Sequence, residues 1–167
     1  YSGSQNGRVY CINMEGRGDG TTTRRWSYPN DYPSASVESA LGPIQGSVAF
    51  ADTTAGPTVF VPTVQGRLYA LDAVGDPINK TTNSRWTYPD IAGGPIGSIT
   101  MAPVIGWRTG NPTDRVVYFG TNDASLFGGG NTMFAVNAVD AGADGIGDLL
   151  WSRDFAANPF GNFLNIS

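Results

Sequence analysis

Residues 6–13 read NGRVYCIN, residues 65–72 read QGRLYALD, and residues 131–137 read NTMFAVN. After a polar loop each phrase is followed by a Trp, in RRWSYP (24–29), SRWTYP (84–89) and LLWSRDF (149–155). The residues Trp26, Trp86 and Trp151 stand 60 and 65 positions apart. The aromatics Tyr10, Tyr69 and Phe134 keep nearly the same beat, at 59 and 65. A fixed period of this kind marks a repeat architecture, in which each supersecondary unit buries its apolar face against the next.

The strands around the phrase follow from apolar alternation and from β-branched or aromatic residues bounded by Gly, Pro and Asn. They are expected at residues 8–13, 25–28, 46–51, 58–64, 67–72, 85–88, 98–105, 115–121, 133–137 and 150–154. No stretch carries a 3.6-residue period, so almost no helix is expected. A complete round has four strands: two apolar strands, the phrase, and the Trp strand. Asn6-Gly7 and Gln65-Gly66 precede the phrase and suit two-residue hairpin turns. In the third round that turn is enlarged to a Gly-rich loop at residues 122–131. Four antiparallel strands joined by hairpins and repeated radially make the blades of a β-propeller. A solenoid is the alternative, but its rungs use shorter repeats and parallel pairing. The expected fold class is therefore all-β, with propeller blades of four-stranded antiparallel sheets.

Composition agrees with a turn-rich β protein. The 167 residues are 40% hydrophobic and include 23 Gly and 11 Pro, enough length to bury a core. The apolar runs are too short for a membrane-spanning helix of about 20 residues. A net charge of −4 with 14% charged residues argues against nucleic acid, whose phosphates require a basic surface. Lys80 is the only Lys, and there is no His, so imidazole acid–base chemistry and His-ligated metal are absent from this segment. Cys11 is the only Cys; it cannot form a disulfide within these residues and reads as a small buried hydrophobe. The chain opens on Tyr1-Ser2-Gly3-Ser4, which reads as mid-structure, and no signal peptide is visible. The Lys-poor, Gly/Thr/Asn-rich acidic balance leans towards an extracytoplasmic location: periplasmic, secreted or cell-surface. Two glycosylation sequons occur, at Asn79-Lys80-Thr81 and Asn165-Ile166-Ser167.

The pattern x-G-x-[VL]-Y-A-[LI]-[DN]-A followed by W-x-[YF] resembles the PQQ-like (quinoprotein alcohol dehydrogenase-like) β-propeller repeat. Its best copy is residues 65–73 with Trp86, and VVYFG at 116–120 is similar to the strand that precedes the phrase in that family. The resemblance covers nearly the whole chain. It departs in the loop between phrase and Trp, where Asp72 to Trp86 and Asn137 to Trp151 each span 14 positions, longer than the family's turn. The resemblance implies a propeller of six to eight blades, of which this chain would be a fragment of about three. On that reading residues 1–30 end a first blade, 31–90 form a second, 91–156 a third, and 157–167 start another. Residues 1–5 would be the tail of a strand, and Phe163–Ser167 would open the next round as 99–102 do. It also implies that Trp26, Trp86 and Trp151 dock between adjacent blades. Enzymes of the family hold pyrroloquinoline quinone (PQQ) with Ca²⁺ on the propeller axis, using a vicinal Cys pair and an Asp base. Neither has a counterpart in this segment.

Two other features carry chemistry. Asp140, Asp144 and Asp148 recur every fourth residue around Gly145. Calcium takes six to eight oxygens, and a Gly lets a loop curl round the ion; a solvated Asp/Gly turn has the same composition. Asn13, Glu15 and Asp19 form a comparable loop in round one, and Asp72, Asp76 and Asn79 in round two. Trp107 lies in Gly106-Trp107-Arg108-Thr109-Gly110, read as a surface insertion whose aromatic could anchor a partner. The expected function is a non-catalytic propeller scaffold or protein-interaction module of an extracytoplasmic or cell-surface protein. The alternatives are a fragment of a PQQ-dependent quinoprotein dehydrogenase, or a structural subunit of an envelope complex or filament. Its partners would be other proteins or the remaining blades. No cofactor is assigned beyond Ca²⁺ at the Asp loop, or PQQ under the dehydrogenase reading.

Overall fold

The computed structural model describes residues 1–30, 41–108, 111–122 and 131–155. Eleven strands and one short 3₁₀ turn (Ile91–Gly93) make up its regular structure. The first sheet runs β1 (Ser2–Gly3), β2 (Val9–Ile12) and β3 (Arg24–Tyr28). The second runs β4 (Ala49–Thr53), β5 (Gly56–Pro62), β6 (Leu68–Asp72) and β7 (Ser84–Tyr88). The third runs β8 (Val104–Arg108), β9 (Asn111–Gly120), β10 (Asn131–Asn137) and β11 (Leu149–Phe155). All neighbours within a sheet are antiparallel and consecutive in the chain. The Gly-rich stretch at 123–130, the second sequon and residues 163–167 lie outside the described residues.

The threefold phrase has a threefold register. Cys11 pairs with Trp26, Ala70 with Trp86 and Ala135 with Trp151, and the register shifts just past the small residue each time. A small side chain opposite the Trp leaves room for the indole to lie over the phrase strand, and the bulge adds local twist. A second aromatic, from the other side of the phrase strand, flanks each indole across the small residue. Phe60 lies 5.8 Å from Trp86 at 45°, Tyr118 lies 6.0 Å from Trp151 at 44°, and Tyr1 lies 5.7 Å from Trp26 at 34°. The hairpin turns before the phrase also repeat, but they are wider than the two-residue turns expected. Ser4 N–H donates to the Arg8 carbonyl and Thr63 N–H to that of Arg67, leaving three residues in each loop. Only the Gly takes a left-handed φ, +77° at both Gly7 and Gly66. That is a type I turn closed by a left-handed residue, which needs one Gly where the two-residue turn needs positive φ twice.

Sheets stack in chain order with the second in the middle. One core lies between the first and second sheets and includes Val9, Cys11, Trp26, Val59, Val61 and Leu71. The other lies between the second and third and includes Phe60, Leu68, Trp86, Val117, Phe134 and Val136. Strands β5 and β6 are therefore buried on both faces, and their near-continuous apolar sequence follows from that. Each crossing between sheets is pinned to the turn it leaves. Leu41 and Ile44 donate to the carbonyls of Gly7 and Ser4; Ile96 and Ile99 donate to those of Gly66 and Thr63. This explains why the strand expected at 98–105 starts only at Val104. The apolar residues before it serve the crossing, where Ile99 is fully buried and Ser98 Oγ donates to the Val64 carbonyl at 2.8 Å.

The indoles close both junctions. Trp26 Nε1–H donates to the Ala73 carbonyl at 3.0 Å, and Trp86 Nε1–H to the Ala138 carbonyl at 3.1 Å. Both acceptors directly follow the phrase strand of the next sheet. The rings are 0% and 1% exposed, so each donor would be costly to leave unpaired. Trp86→Ala should lose about 3–5 kcal/mol of stability in urea unfolding through lost burial and the cavity left behind. Trp86→Phe keeps most of the apolar contact but orphans the Ala138 carbonyl, and should lose about 1–3 kcal/mol.

Candidate functional site

The loops between the phrase and the Trp strand are where the sequence departs most from a plain repeat, and their geometry gives them a mechanical task. Each loop is tied at its feet. Asn13 N–H donates to the Thr23 carbonyl at 2.8 Å, Asp72 N–H to Asn83 at 3.0 Å, and Asn137 N–H to Asp148 at 2.9 Å. Three residues before each acceptor the backbone turns left-handed, at Gly20 (φ +82°), Lys80 (+57°) and Gly145 (+81°). In the second and third loops the carbonyl of that residue takes a hydrogen bond from the Trp strand of the preceding sheet. Ser27 N–H donates to Lys80 at 3.2 Å and Thr87 N–H to Gly145 at 3.0 Å. Isolated parallel bridges, Ser27 to Thr81 and Thr87 to Ile146, mark the same contact. Glycines let the indoles approach these loops: a Cβ at Gly75 would collide with Trp26, and one at Gly147 would lie 2.8 Å from Cε3 of Trp86.

The aspartates of these loops are directed at their own backbone. Asp140 Oδ2 accepts from Gly145 N–H at 2.8 Å, Asp144 Oδ1 from Ile146 N–H at 2.9 Å, and Asp148 Oδ2 from Ala141 N–H at 2.8 Å. In the second loop Asp76 Oδ1 accepts from Ile78 and Asn79 N–H, and its Oδ2 from the Asn79 amide. In the first, Asp19 Oδ1 accepts from both the amide and the hydroxyl of Thr21. Those bonds hold the Asp76 and Asp19 carboxyls below their usual range. Asp72 also pairs with Arg85 at 3.3 Å. Among the described residues no three His, Cys, Asp or Glu side chains group so as to hold a metal ion. Aspartate here does what it does in tight turns, capping amides that a left-handed residue leaves exposed.

Two marked tryptophans sit differently from the inter-sheet pair. Trp107 belongs to β8 rather than to a surface loop; it pairs with Arg115, whose guanidinium lies 4.7 Å from the ring centroid. The Gly beside it is required by packing, since a Cβ at Gly106 would lie 2.8 Å from the Tyr118 ring. The Trp107 ring is 59% exposed. Trp151 is 44% exposed on the face of the third sheet turned away from the second. Around it Val104, Met101, Met133 and Phe155 are also exposed, and a cleft of about 720 Å³ opens between Met101, Val104, Tyr118, Met133 and Phe155. The aromatic that flanks the indole also leaves a mark in the sequence of the first two sheets. Tyr1 and Phe60 each stand nine residues before the phrase aromatic, which marks an aromatic partner for the Trp.

Neither a protein-family model nor a curated protein matches this chain.

The Asp140 contact should be measurable, because Gly145 donates to Asp140 and accepts from Thr87 on the neighbouring sheet. Asp140→Ala should cost about 1 kcal/mol and lower the melting temperature. Burial also pushes the Cys11 thiol up, together with the Tyr69 and Tyr88 phenols. Stability carried by these groups is full below their unfolded-chain values, about 8.5 for Cys and 10 for Tyr, and is lost as pH rises through the folded ones. The melting temperature should therefore decline above about pH 8.5. Cys11 should react with a thiol reagent at pH 8 only after denaturant is added; rapid labelling of the native protein would contradict its burial.

Proposed function

We propose that this chain is a non-catalytic β-propeller scaffold of PQQ-like repeats, acting as a protein-interaction module of an extracytoplasmic or cell-surface protein. The observation that carries the reading is the repetition of one junction. Trp26 meets the carbonyl of Ala73 as Trp86 meets that of Ala138, and the flanking Trp strands meet the next loops through the same parallel bridge. A junction used twice in succession is what stacked blades require, and four-stranded antiparallel sheets supply the blades. The long loops are held at both feet, so their tips lie at the surface while the framework stays rigid. A rigid framework that presents loops and an exposed aromatic-rich face has the make-up of a binding platform.

The test is direct. Purified protein incubated with PQQ and Ca²⁺ should show no alcohol-dependent dye reduction above the protein-free rate. Sustained turnover would replace the scaffold reading with that of a quinoprotein dehydrogenase fragment.

A further inference from the structure

Three steps in the chain join an Asn or Asp to a Gly: Asn6-Gly7, Asp19-Gly20 and Asp144-Gly145. At such a step the Gly nitrogen, with no Cβ beside it, has a clear approach to the side-chain Cγ of the preceding residue. The three are built alike. Each side chain folds back in an Asx turn: Asn6 Oδ1 accepts from Arg8 N–H at 3.1 Å, Asp19 Oδ1 from Thr21 N–H at 2.8 Å, and Asp144 Oδ1 from Ile146 N–H at 2.9 Å. Each Gly is left-handed, with φ of +77°, +82° and +81°.

They differ in what the Gly amide does. Gly7 N–H donates to the Ser4 carbonyl at 3.0 Å, and Gly145 N–H to Asp140 Oδ2 at 2.8 Å. Gly20 N–H has no hydrogen-bond partner among the described residues. An amide held by an acceptor must give up that bond before its nitrogen reaches Cγ, and the bond to Asp140 is charge-assisted. A docked sheet does not supply what Gly20 lacks. In the second loop Ser27 N–H takes the Lys80 carbonyl at 3.2 Å, while Lys80 N–H has no partner among the described residues. In the third, Thr87 N–H takes the Gly145 carbonyl at 3.0 Å. A sheet seated in this way on the first loop would engage the Gly20 carbonyl and leave its amide as it is.

We infer that Asp19 is a site of spontaneous covalent modification to isoaspartate, while Asp140 guards Asp144 and the Ser4 carbonyl guards Asn6. The Gly20 nitrogen bonds to Cγ of the protonated Asp19 carboxyl, and the amide proton leaves with the carboxyl hydroxyl as one water. The resulting succinimide takes one water back. Opening between nitrogen and Cγ restores Asp; opening between nitrogen and the main-chain carbonyl carbon gives isoaspartate. At Asn6 the leaving group is ammonia. Isoaspartate adds one methylene to the backbone just ahead of the left-handed turn and displaces the carboxylate that accepts from the Thr21 amide and hydroxyl. The tied feet at Asn13 and Thr23 lie outside the altered step. This chemistry is independent of the scaffold function.

The test is to hold the full chain folded at physiological temperature and neutral pH for several weeks, digest it, and quantify isoaspartate at each step by electron-transfer mass spectrometry. Asp19 should convert roughly tenfold or more faster than Asp144, the rate equivalent of one hydrogen bond broken before attack. In guanidinium the two Asp-Gly steps should convert at similar rates, and Asn6 should deamidate faster than in the folded protein. Asp140→Ala should raise Asp144 towards the rate of Asp19. Asp140→Asn keeps an oxygen acceptor for Gly145 and should hold Asp144 below that rate. An unchanged rate at Asn6 in both variants separates local release of Gly145 from unfolding. Equal native rates at Asp19 and Asp144 overturn the proposal, as does an Asp19 that converts in guanidinium but not in the folded protein. So does an Asp144 rate that Asp140→Ala leaves unchanged, or an Asn6 that deamidates as fast folded as unfolded.

Discussion

The indole N–H of each inter-sheet Trp has one acceptable partner, and it lies on the next sheet. A Trp buried between two apolar faces gains from its large ring but must satisfy its donor, and here the carbonyl after the neighbouring phrase strand does so. That requirement fixes how the sheets slide on each other. The carbonyl must face the indole, so the chain turns out of the sheet just beyond the phrase, at Ala73 and at Ala138. The small residue opposite the Trp, the aromatic flanking it and the bulge beside it all keep the ring where the bond can form.

The middle sheet shows the result most plainly. Both faces of β5 and β6 are covered, and the crossings on either side are tied to the turns they leave. Polar contacts at the rim follow the same plan. Arg8 donates to the Pro29 carbonyl at 2.7 Å, and Arg67 to the carbonyls of Pro89, Asp90 and Ile91. The Arg of the phrase thus binds the end of the Trp strand beside it, by charge-assisted bonds to backbone that would otherwise face solvent. In the third repeat Thr132 replaces that Arg, and Arg153-Asp154 stand where the others have Tyr-Pro.

The repeat was legible because its marks are covalent facts of spacing. A Trp opposite a small residue recurs at a fixed beat, and alternation marks the strands around it. What lay beyond spacing was harder to read. An apolar run such as residues 98–105 does not tell whether its amides go to a ladder or to a neighbouring turn. Gln-Gly fits a two-residue hairpin or a wider one, and strand twist chooses between them. The Asp loops have the composition of an ion site, yet composition does not say whether a carboxylate faces inward or binds its own amides. Trp107 is expected in a surface insertion, yet it lies in β8, where Gly106 leaves room for the Tyr118 ring.

The paired feet of the three loops have a consequence for how such a molecule can change. The loops hold nine residues between the tied positions in the first case, residues 14–22, and ten in the others, residues 73–82 and 138–147. One residue of length has therefore already been gained or lost without moving the feet. Loop-closure entropy grows only slowly with length, so the tips can accept new sequence while the left-handed residue near the exit holds its place. The fold thereby separates a hinge that recurs in all three loops from a crown that differs among them. Foreign peptides grafted at the crowns would be carried at regular intervals along the stack, spaced by the sheets themselves.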